Sequence, residues 1–347
     1  FYIVAPNDFI YNSRTSRMGD KVGLGYNDSD KTFITSFNNT VFRVKNEELL
    51  PMYLFMWFNR PEFDRYARFH SWGSSTELFP WDEMCEVKLP VPTIEKQREI
   101  VAEYTIVKDR IDLNNQLIKK LEETAQAIYK QWFVDFEFPF DFAQGKPNKN
   151  GRPYKSSGGK MVWNEELDKE IPEGWDMKPI SEVGNLKAGG DKPNDFSEMK
   201  TSNFQIPIYS NGINNDGLYG YTNKYNYPKN SITISARGTI GFCVLRRVDF
   251  DAIVRLLVLI PKYSYSAIYL WQTIKEINFD NSGSVQNQLT IPQVNGISIL
   301  CPEKEVLRQY DSNLDLVYRS INLQKKENHK LSELKELLLS KMATIEN

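Results

Sequence analysis

Apolar side chains recur along Ile94 to Phe133 at Ile100, Tyr104, Val107, Ile111, Ile118, Leu121, Ala125, Ile128 and Trp132, in steps that alternate four and three. That spacing lays one stripe along a helix and predicts a coiled-coil seam, which needs a partner helix to cover it. Only Asn114 interrupts the stripe, and the stretch contains neither Pro nor Gly. At about 1.5 Å per residue, some 40 residues give a rod of roughly 60 Å. A second seam follows Pro302, at Leu307, Tyr310, Leu314, Val317, Ile321, Gln324, Asn328, Leu331, Lys335, Leu338 and Met342. It is less clean, since Gln324, Asn328 and Lys335 sit on the stripe.

Between the two seams the period changes. "QIPIYSNGINNDGLYGYTNKYNY" and "NSITISARGTIGFCVLRRVDF" read as short strands broken by Asn-Gly, Asp-Gly and Arg-Gly-Thr turns. "DAIVRLLVLIPK" reads as one further strand, and "SYSAIYLWQTIKEI" as a helix. The head from about Ile171 to Pro302 is therefore expected to be α+β.

The chain repeats itself. Shifted by 210 residues, "GSSTELFPWDEMCEVKLPVPTIEKQRE" from Gly73 falls on "GSVQNQLTIPQVNGISILCPEKEVLRQ" from Gly283, with Gly73 on Gly283, Ser74 on Ser284, Pro92 on Pro302 and Arg98 on Arg308. "EVKLPVP" and "GISILCP" each read as a short strand ended by Pro. With a gap, "MYLFMWF" parallels "IYLWQTI" and "FIYNSR" parallels "ITISAR". A mixed head followed by a long helix is thus used twice. Antiparallel packing of the two helices would set Asn114 opposite Gln324, a polar layer of the kind that fixes register.

Composition changes this picture little. The chain has 347 residues, a net charge of −2 and 41% hydrophobic residues, which fits two or three folded domains. Cys85, Cys243 and Cys301 are far apart and form no CxxC, which argues for buried thiols rather than a metal site. No apolar run approaches 18 residues. The chain opens at Phe1 inside the strand-like "FYIVAP", and its natural start is expected upstream.

Local charge matters more. From Thr201 to Val248, Lys224, Lys229, Arg237, Arg246 and Arg247 face Asp216 alone, a net +4. Tyr209, Asn211, Asn214, Asn215, Tyr219, Ser235 and Thr239 interleave with them. Asn suits adenine edges, Arg suits guanine, and Lys or Arg suits phosphate. A solvated, turn-rich loop face has the same composition. Arg14 and Arg17 occupy the parallel place in the first head. Ser74, Ser75, Ser284, Gln286 and Asn287 lie in polar turns that can present hydroxyls and amides, or simply close a turn. No phosphate loop, nucleophile elbow, HExxH or dinucleotide fingerprint is present, and no metal ligand set is predicted.

"LPVPTIEKQREIVAEY", "QAIYKQWFVDFEFPF" and "GRPYKSSGGKMVWNEELDKEIPEGW" together resemble the specificity subunit of type I restriction-modification systems, over essentially the whole chain. The resemblance implies an α+β chain with two target recognition domains of mixed α/β type, joined by a pair of long antiparallel coiled-coil helices. It divides the chain into residues 1–92 (C-terminal part of the first recognition domain), 93–138 (central helix), 139–170 (linker), 171–302 (second recognition domain) and 303–347 (C-terminal helix). It implies a non-catalytic subunit that reads a bipartite, asymmetric double-stranded DNA site and docks two methyltransferase and two motor-nuclease subunits. S-adenosylmethionine, ATP and Mg²⁺ would belong to those partners, and the location would be the cytoplasm of a bacterium or archaeon. The sequence departs from the family pattern in the first head: "FIYNSR" begins at Phe9, whereas about 60 residues separate "IPEGW" from "ITISARG". The first recognition domain is thus expected to lack its N-terminal half. Two other readings use the same residues: a coiled-coil scaffold that binds protein partners, and a nuclease or methyltransferase with a diffuse site.

Overall fold

In the computed structural model, which describes residues 1–14, 21–73, 77–279 and 288–342, both seams are continuous helices. They are Ile94–Tyr129, of 36 residues, and Lys304–Lys341, of 38. The chain divides into two compact units. One holds Phe1–Lys119 and Asn322–Asn347, the other Lys120–Ile321. Each long helix therefore gives one part to each unit, where the sequence reading made each helix a segment of its own.

In unit 1, strands Thr40–Phe42, Phe9–Asn12 and Gly23–Tyr26 form an antiparallel sheet in that order. Two short helices follow, Pro51–Phe58 and Pro61–Phe69, each opened by proline at a position whose amide needs no partner. Phe9, Tyr11, Tyr53, Met56, Trp57, Phe63 and Phe79 make the core, and Tyr104 and Leu339 of the long helices join it, with Met342 just past the second helix. Burying each such side chain contributes about 1.5–3 kcal/mol. Gln97 clamps the helix to the sheet side: its amide accepts from Leu50 N (2.8 Å) and donates to Glu48 O (2.7 Å) and Pro92 O (2.8 Å).

Within unit 1 the two helix halves run antiparallel. Arg110 grips Glu327 through Nε and Nη2 at 3.0 and 3.2 Å. Asn114, 1% exposed, donates to Asn328 Oδ1 at 2.9 Å, and Asn328 Nδ2 donates to Asn115 Oδ1 at 2.8 Å. The polar layer is thus Asn114 with Asn328, and the expected pairing of Asn114 with Gln324 does not form. Gln324 lies four residues, about one helical turn, from Asn328 and so cannot reach the same level. Its Oε1 is buried and has no hydrogen-bond partner among the described residues.

Unit 2 begins with the last turns of the central helix. The helix widens into a π-turn at Lys130–Val134, which seats Trp132 and Phe133 against Tyr310, at ring separations of 5.4 and 4.7 Å. Tyr310 donates to Gln272, whose amide donates to Ala125 O at 3.3 Å. Residues 139–170 are folded: a small sheet of Pro139–Asp141, Lys146–Pro147 and Arg152–Pro153 precedes the hairpin Met161–Asn164 with Lys169–Pro172. Phe138 stacks between Tyr154 and Trp175 there. Gly159 is required because a Cβ would lie 2.4 Å from the Tyr154 ring.

Two four-stranded sheets carry the rest of unit 2. One runs Gly184–Ala188, Leu257–Pro261, Ser231–Ile234, Cys243–Arg246, all antiparallel. The other runs Phe196–Ser197, Leu218–Thr222, Ile206–Tyr209, Asp251–Ala252, with the last pair parallel. The segment expected as one strand, "DAIVRLLVLIPK", is therefore two, one in each sheet. A turn separates them, with Val254 and Arg255 at φ of 54° and 60°. Helix Ala267–Lys275 backs the first sheet, and Trp271 Nε1 donates to Cys243 O at 3.2 Å.

The repeat is visible bond by bond. Phe79 N donates to Ser13 O at 2.8 Å in unit 1, and Leu289 N to Ala236 O at 2.9 Å in unit 2. Tyr53 donates to Pro90 O in one and Tyr269 to Leu300 O in the other. The three strands of unit 1 keep the order of Leu257–Pro261, Ser231–Ile234 and Cys243–Arg246. The copies differ at their last strand. Ser298–Cys301 pairs with Asp176–Pro179, whereas residues 87–91 form no ladder among the described residues, so the strand read in "EVKLPVP" is only extended chain. An extended segment without a neighbour has nothing to bond its backbone.

Candidate nucleic-acid interface

Two loops of unit 2 line a cleft of about 410 Å³, through residues that include Ser210, Asn211, Asn214, Arg237 and Thr239, and a third loop is hydrogen-bonded to the first. The first loop follows strand Ile206–Tyr209. It passes through Gly212 and a turn at Asn214–Gly217 in which Asn215 and Asp216 take left-handed φ of 50° and 53°. Asn and Asp tolerate that conformation better than other side chains. The second loop is the Arg-Gly-Thr turn, with Gly238 at φ 71°. The third is the Val254–Arg255 turn. Left-handed φ at a β-branched valine is strained, by about 1–3 kcal/mol, and persists only where surrounding contacts enforce it.

Asn211 ties these loops together. Its Oδ1 accepts from Ala236 N at 2.8 Å and its Nδ2 donates to Val254 O at 2.7 Å. Val254 N donates to Gly190 O and Ile253 N to Tyr209 O, at 3.0 and 2.9 Å. Gly189 allows this approach, since a Cβ would lie 2.7 Å from the Ala252 carbonyl. Asn211 thus bonds backbone through one N–H and one lone pair of its amide, where the sequence reading assigned the side chain to DNA.

The other sequence candidates separate into groups. Arg237, Asn214, Asn215 and Thr239 are exposed on the cleft loops, and Arg237 donates twice to Gln288 Oε1, at 2.9 and 2.7 Å. Tyr219 is exposed on the neighbouring strand, with the Lys192 ammonium 5.4 Å from its ring. Lys224 is exposed beside a second, smaller hollow of about 250 Å³. Ser235 is 2% exposed and faces the core, so it is not a surface group. Tyr209 packs beneath Arg246, whose guanidinium lies 3.6 Å from the ring centre. In unit 1, Arg14 is exposed and its strand position bridges to Leu78, the counterpart of Gln288. Arg17, Ser74, Ser75, Ser284, Gln286 and Asn287 lie outside the described residues.

Part of this local charge is not at the surface. Arg246 is 4% exposed and donates to Thr233 Oγ1 and Asp216 O, at 2.9 and 2.7 Å. Burial pulls its guanidinium down to about 10, still charged at neutral pH. Arg247 forms a half-buried ion pair with Asp315. Two of the five cations behind the +4 are therefore structural, and Lys224, Lys229 and Arg237 are the exposed ones. Arg255 was not among the sequence candidates. It is exposed, and no hydrogen bond or ion pair engages it among the described residues. Its signal was hidden because "VRLLVL" reads as strand interior, where a lone cation is unremarkable. No helix among the described residues is long and apolar enough to cross a membrane.

A family model described as the type I restriction modification DNA specificity domain matches residues 1–123 and 172–333. Among curated relatives, the type I restriction enzyme MjaIX specificity subunit of Methanocaldococcus jannaschii is 24% identical, over 96% of this chain and 77% of its own. The type I restriction enzyme HindI specificity subunit of Haemophilus influenzae is 22% identical, over 91% and 81%. Among solved structures, the type I restriction-modification S subunit from M. genitalium aligns with a TM-score of 0.63 at 16% identity, covering 99% of this chain and 84% of that one.

Proposed function

The chain belongs to the type I restriction-modification DNA specificity family, and from that premise we propose that it reads a DNA site in two parts, one part per unit. A specificity subunit recognises DNA sequence, and catalysis resides in its partner subunits. The observation that carries the bipartite reading is the duplication. Both units place an exposed arginine, Arg14 or Arg237, at the same position of the same strand-loop framework. Two copies of one reading framework, with different side chains around each arginine, suit two different half-sequences.

The long helices set the length of the unread spacer and dock the partners. An exposed apolar stripe, Ile106, Leu113 and Leu117, runs along the central helix at spacings of seven and four. Exposed stripes of this kind mark protein contacts. The partners are two methyltransferase subunits, which bring S-adenosylmethionine, and two motor-nuclease subunits, which bring ATP and Mg²⁺.

The same stripe also favours a second reading, a scaffold whose heads bind protein. Filter binding of DNA by the chain with its methyltransferase partner separates the two. A DNA reader releases a counterion at each phosphate contact, so six to ten contacts weaken binding about 10³- to 10⁵-fold between 50 and 200 mM salt. Retention that ignores salt, or no retention, supports the scaffold and removes the DNA reading.

A further inference from the structure

The structure assigns a specificity-determining role to Arg255, with Asn211 as the residue that positions it. This inference rests on the DNA-reading function above and adds a residue to it.

The Val254–Arg255 turn is built more firmly than a surface connection requires. Four hydrogen bonds converge on its ends: Gly189 N to Leu256 O (2.7 Å), Gly190 N to Ala252 O (3.0 Å), Val254 N to Gly190 O (3.0 Å) and Asn211 Nδ2 to Val254 O (2.7 Å). They hold two consecutive non-glycine residues in the left-handed region, one of them a valine that is 51% exposed. The valine side chain gains little burial to offset that conformation. What the turn presents is Arg255, exposed and unbonded among the described residues. Through the single amide of Asn211 the turn is also fixed to the loop that carries Arg237.

Rigid placement separates the two uses of an arginine. A phosphate contact is satisfied by a point charge on a flexible stem, as lysine shows. A base-edge contact needs the planar fork held in register with two acceptors. A strained, fully anchored turn fits the second use. Unit 1 carries a turn at the same place in the repeat, between Phe33–Thr35 and Thr40–Phe42, and in the register that lays the Phe9–Phe42 pair over the Ile232–Leu259 pair the position of Arg255 falls on Asn38, which is exposed. One framework position thus offers a different side chain in each unit, as reading two unlike half-sequences requires.

The test uses the complete complex in its host, with methylated adenines mapped by long-read sequencing for the unsubstituted chain, Arg255→Ala, Arg255→Lys, Asn211→Asp and Asn211→Ala. Arg255 makes no hydrogen bond or ion pair among the described residues, so its variants are expected to assemble normally. Both should lose selectivity at one and the same base pair, by about 5- to 150-fold, the discrimination that a bidentate arginine contact supplies. Asn211→Asp keeps the acceptor for Ala236 N and loses the donor to Val254, so it should relax that same position while the rest of the motif stands. Asn211→Ala loses both bonds and should relax it at least as far. An even loss of methylation at all sites by Arg255→Ala, restored by Arg255→Lys, would identify a phosphate contact and overturn the assignment. An unchanged motif in the Arg255 variants overturns it too, while the DNA-reading function stands. Absence of any motif with the unsubstituted chain overturns both.

Discussion

Replacing Asn328 by Ala removes the acceptor of a buried donor at the middle of the helix pair. Asn114 is 1% exposed and its Nδ2 bonds Asn328 Oδ1 at 2.9 Å. In Asn328→Ala that amide hydrogen loses its acceptor where water has little access. An unsatisfied buried donor costs about 1–3 kcal/mol. The second bond lost, from Asn328 to Asn115, is exposed and water can replace it. About 2 kcal/mol is therefore expected, which for a unit of this size shifts the unfolding midpoint down by roughly 4–8 °C. Substituting both amides, Asn114→Leu with Asn328→Leu, removes donor and acceptor together. It should return the midpoint to within about 2 °C of the original or above it, since apolar replacement of a polar pair is often neutral or stabilising. Differential scanning calorimetry on Asn114→Leu, Asn328→Leu and the double variant gives the coupling energy directly, and about 1 kcal/mol or more of non-additivity is expected. Strictly additive effects, or an Asn328→Ala midpoint within a degree of the original, would refute a buried amide layer in this seam.

Arg237→Ala should relax one part of the methylated motif and leave thermal stability nearly unchanged, because its bonds to Gln288 are solvent-exposed; a motif that keeps full selectivity counts against the cleft as the reading surface. Asp311 holds its proton to higher pH than in the unfolded chain, first because of burial and then because of Asp315, with Arg247 partly offsetting both. That contribution is full below the ordinary value of 3.8 and is lost as pH rises through the folded value. Asp311→Asn should therefore raise the midpoint at pH 7 and have little effect near pH 3.5, and the reverse ordering would be inconsistent with a half-buried carboxylate beside Asp315. Burial pushes the Cys243 thiol up to about 12 and Cys301 up to about 11, whereas Cys85 is exposed. A disulfide-exchange reagent at pH 8 should titrate Cys85 quickly and the other two only on unfolding; a fast reaction at Cys243 would contradict its placement.

The seams were legible because a four-three spacing leaves little choice. Tyr104, Val107, Asn114, Ile118, Ala125 and Trp132 are all buried as their positions predict, and Leu307, Tyr310, Leu314, Ile321 and Met342 likewise. The repeat was legible for the same reason, since Pro92 over Pro302 and Gly73 over Gly283 need no knowledge of contacts. The amide partner was not. Gln324 and Asn328 both lie on the stripe, and only the register of the opposing helix decides which one meets Asn114. The cleft was half legible. Its exposed members, Arg237, Asn214 and Thr239, follow from turn chemistry. Sequence position cannot tell that Arg246 is buried over Tyr209, that Arg247 is taken by Asp315, or that both ends of the Asn211 amide bond backbone. Each of these depends on a residue between 25 and 68 positions away. Arg255 failed for a related reason: two left-handed residues inside an apolar run have no signature in residue type.

The most direct test of two-part reading is a genome-wide map of methylated adenines in cells carrying the unsubstituted chain or Arg237→Ala. The account predicts two short defined blocks separated by a gap of constant length, with Arg237→Ala altering one block and leaving the other block and the gap intact. One uninterrupted block, a gap of variable length, or simultaneous change in both blocks would contradict it.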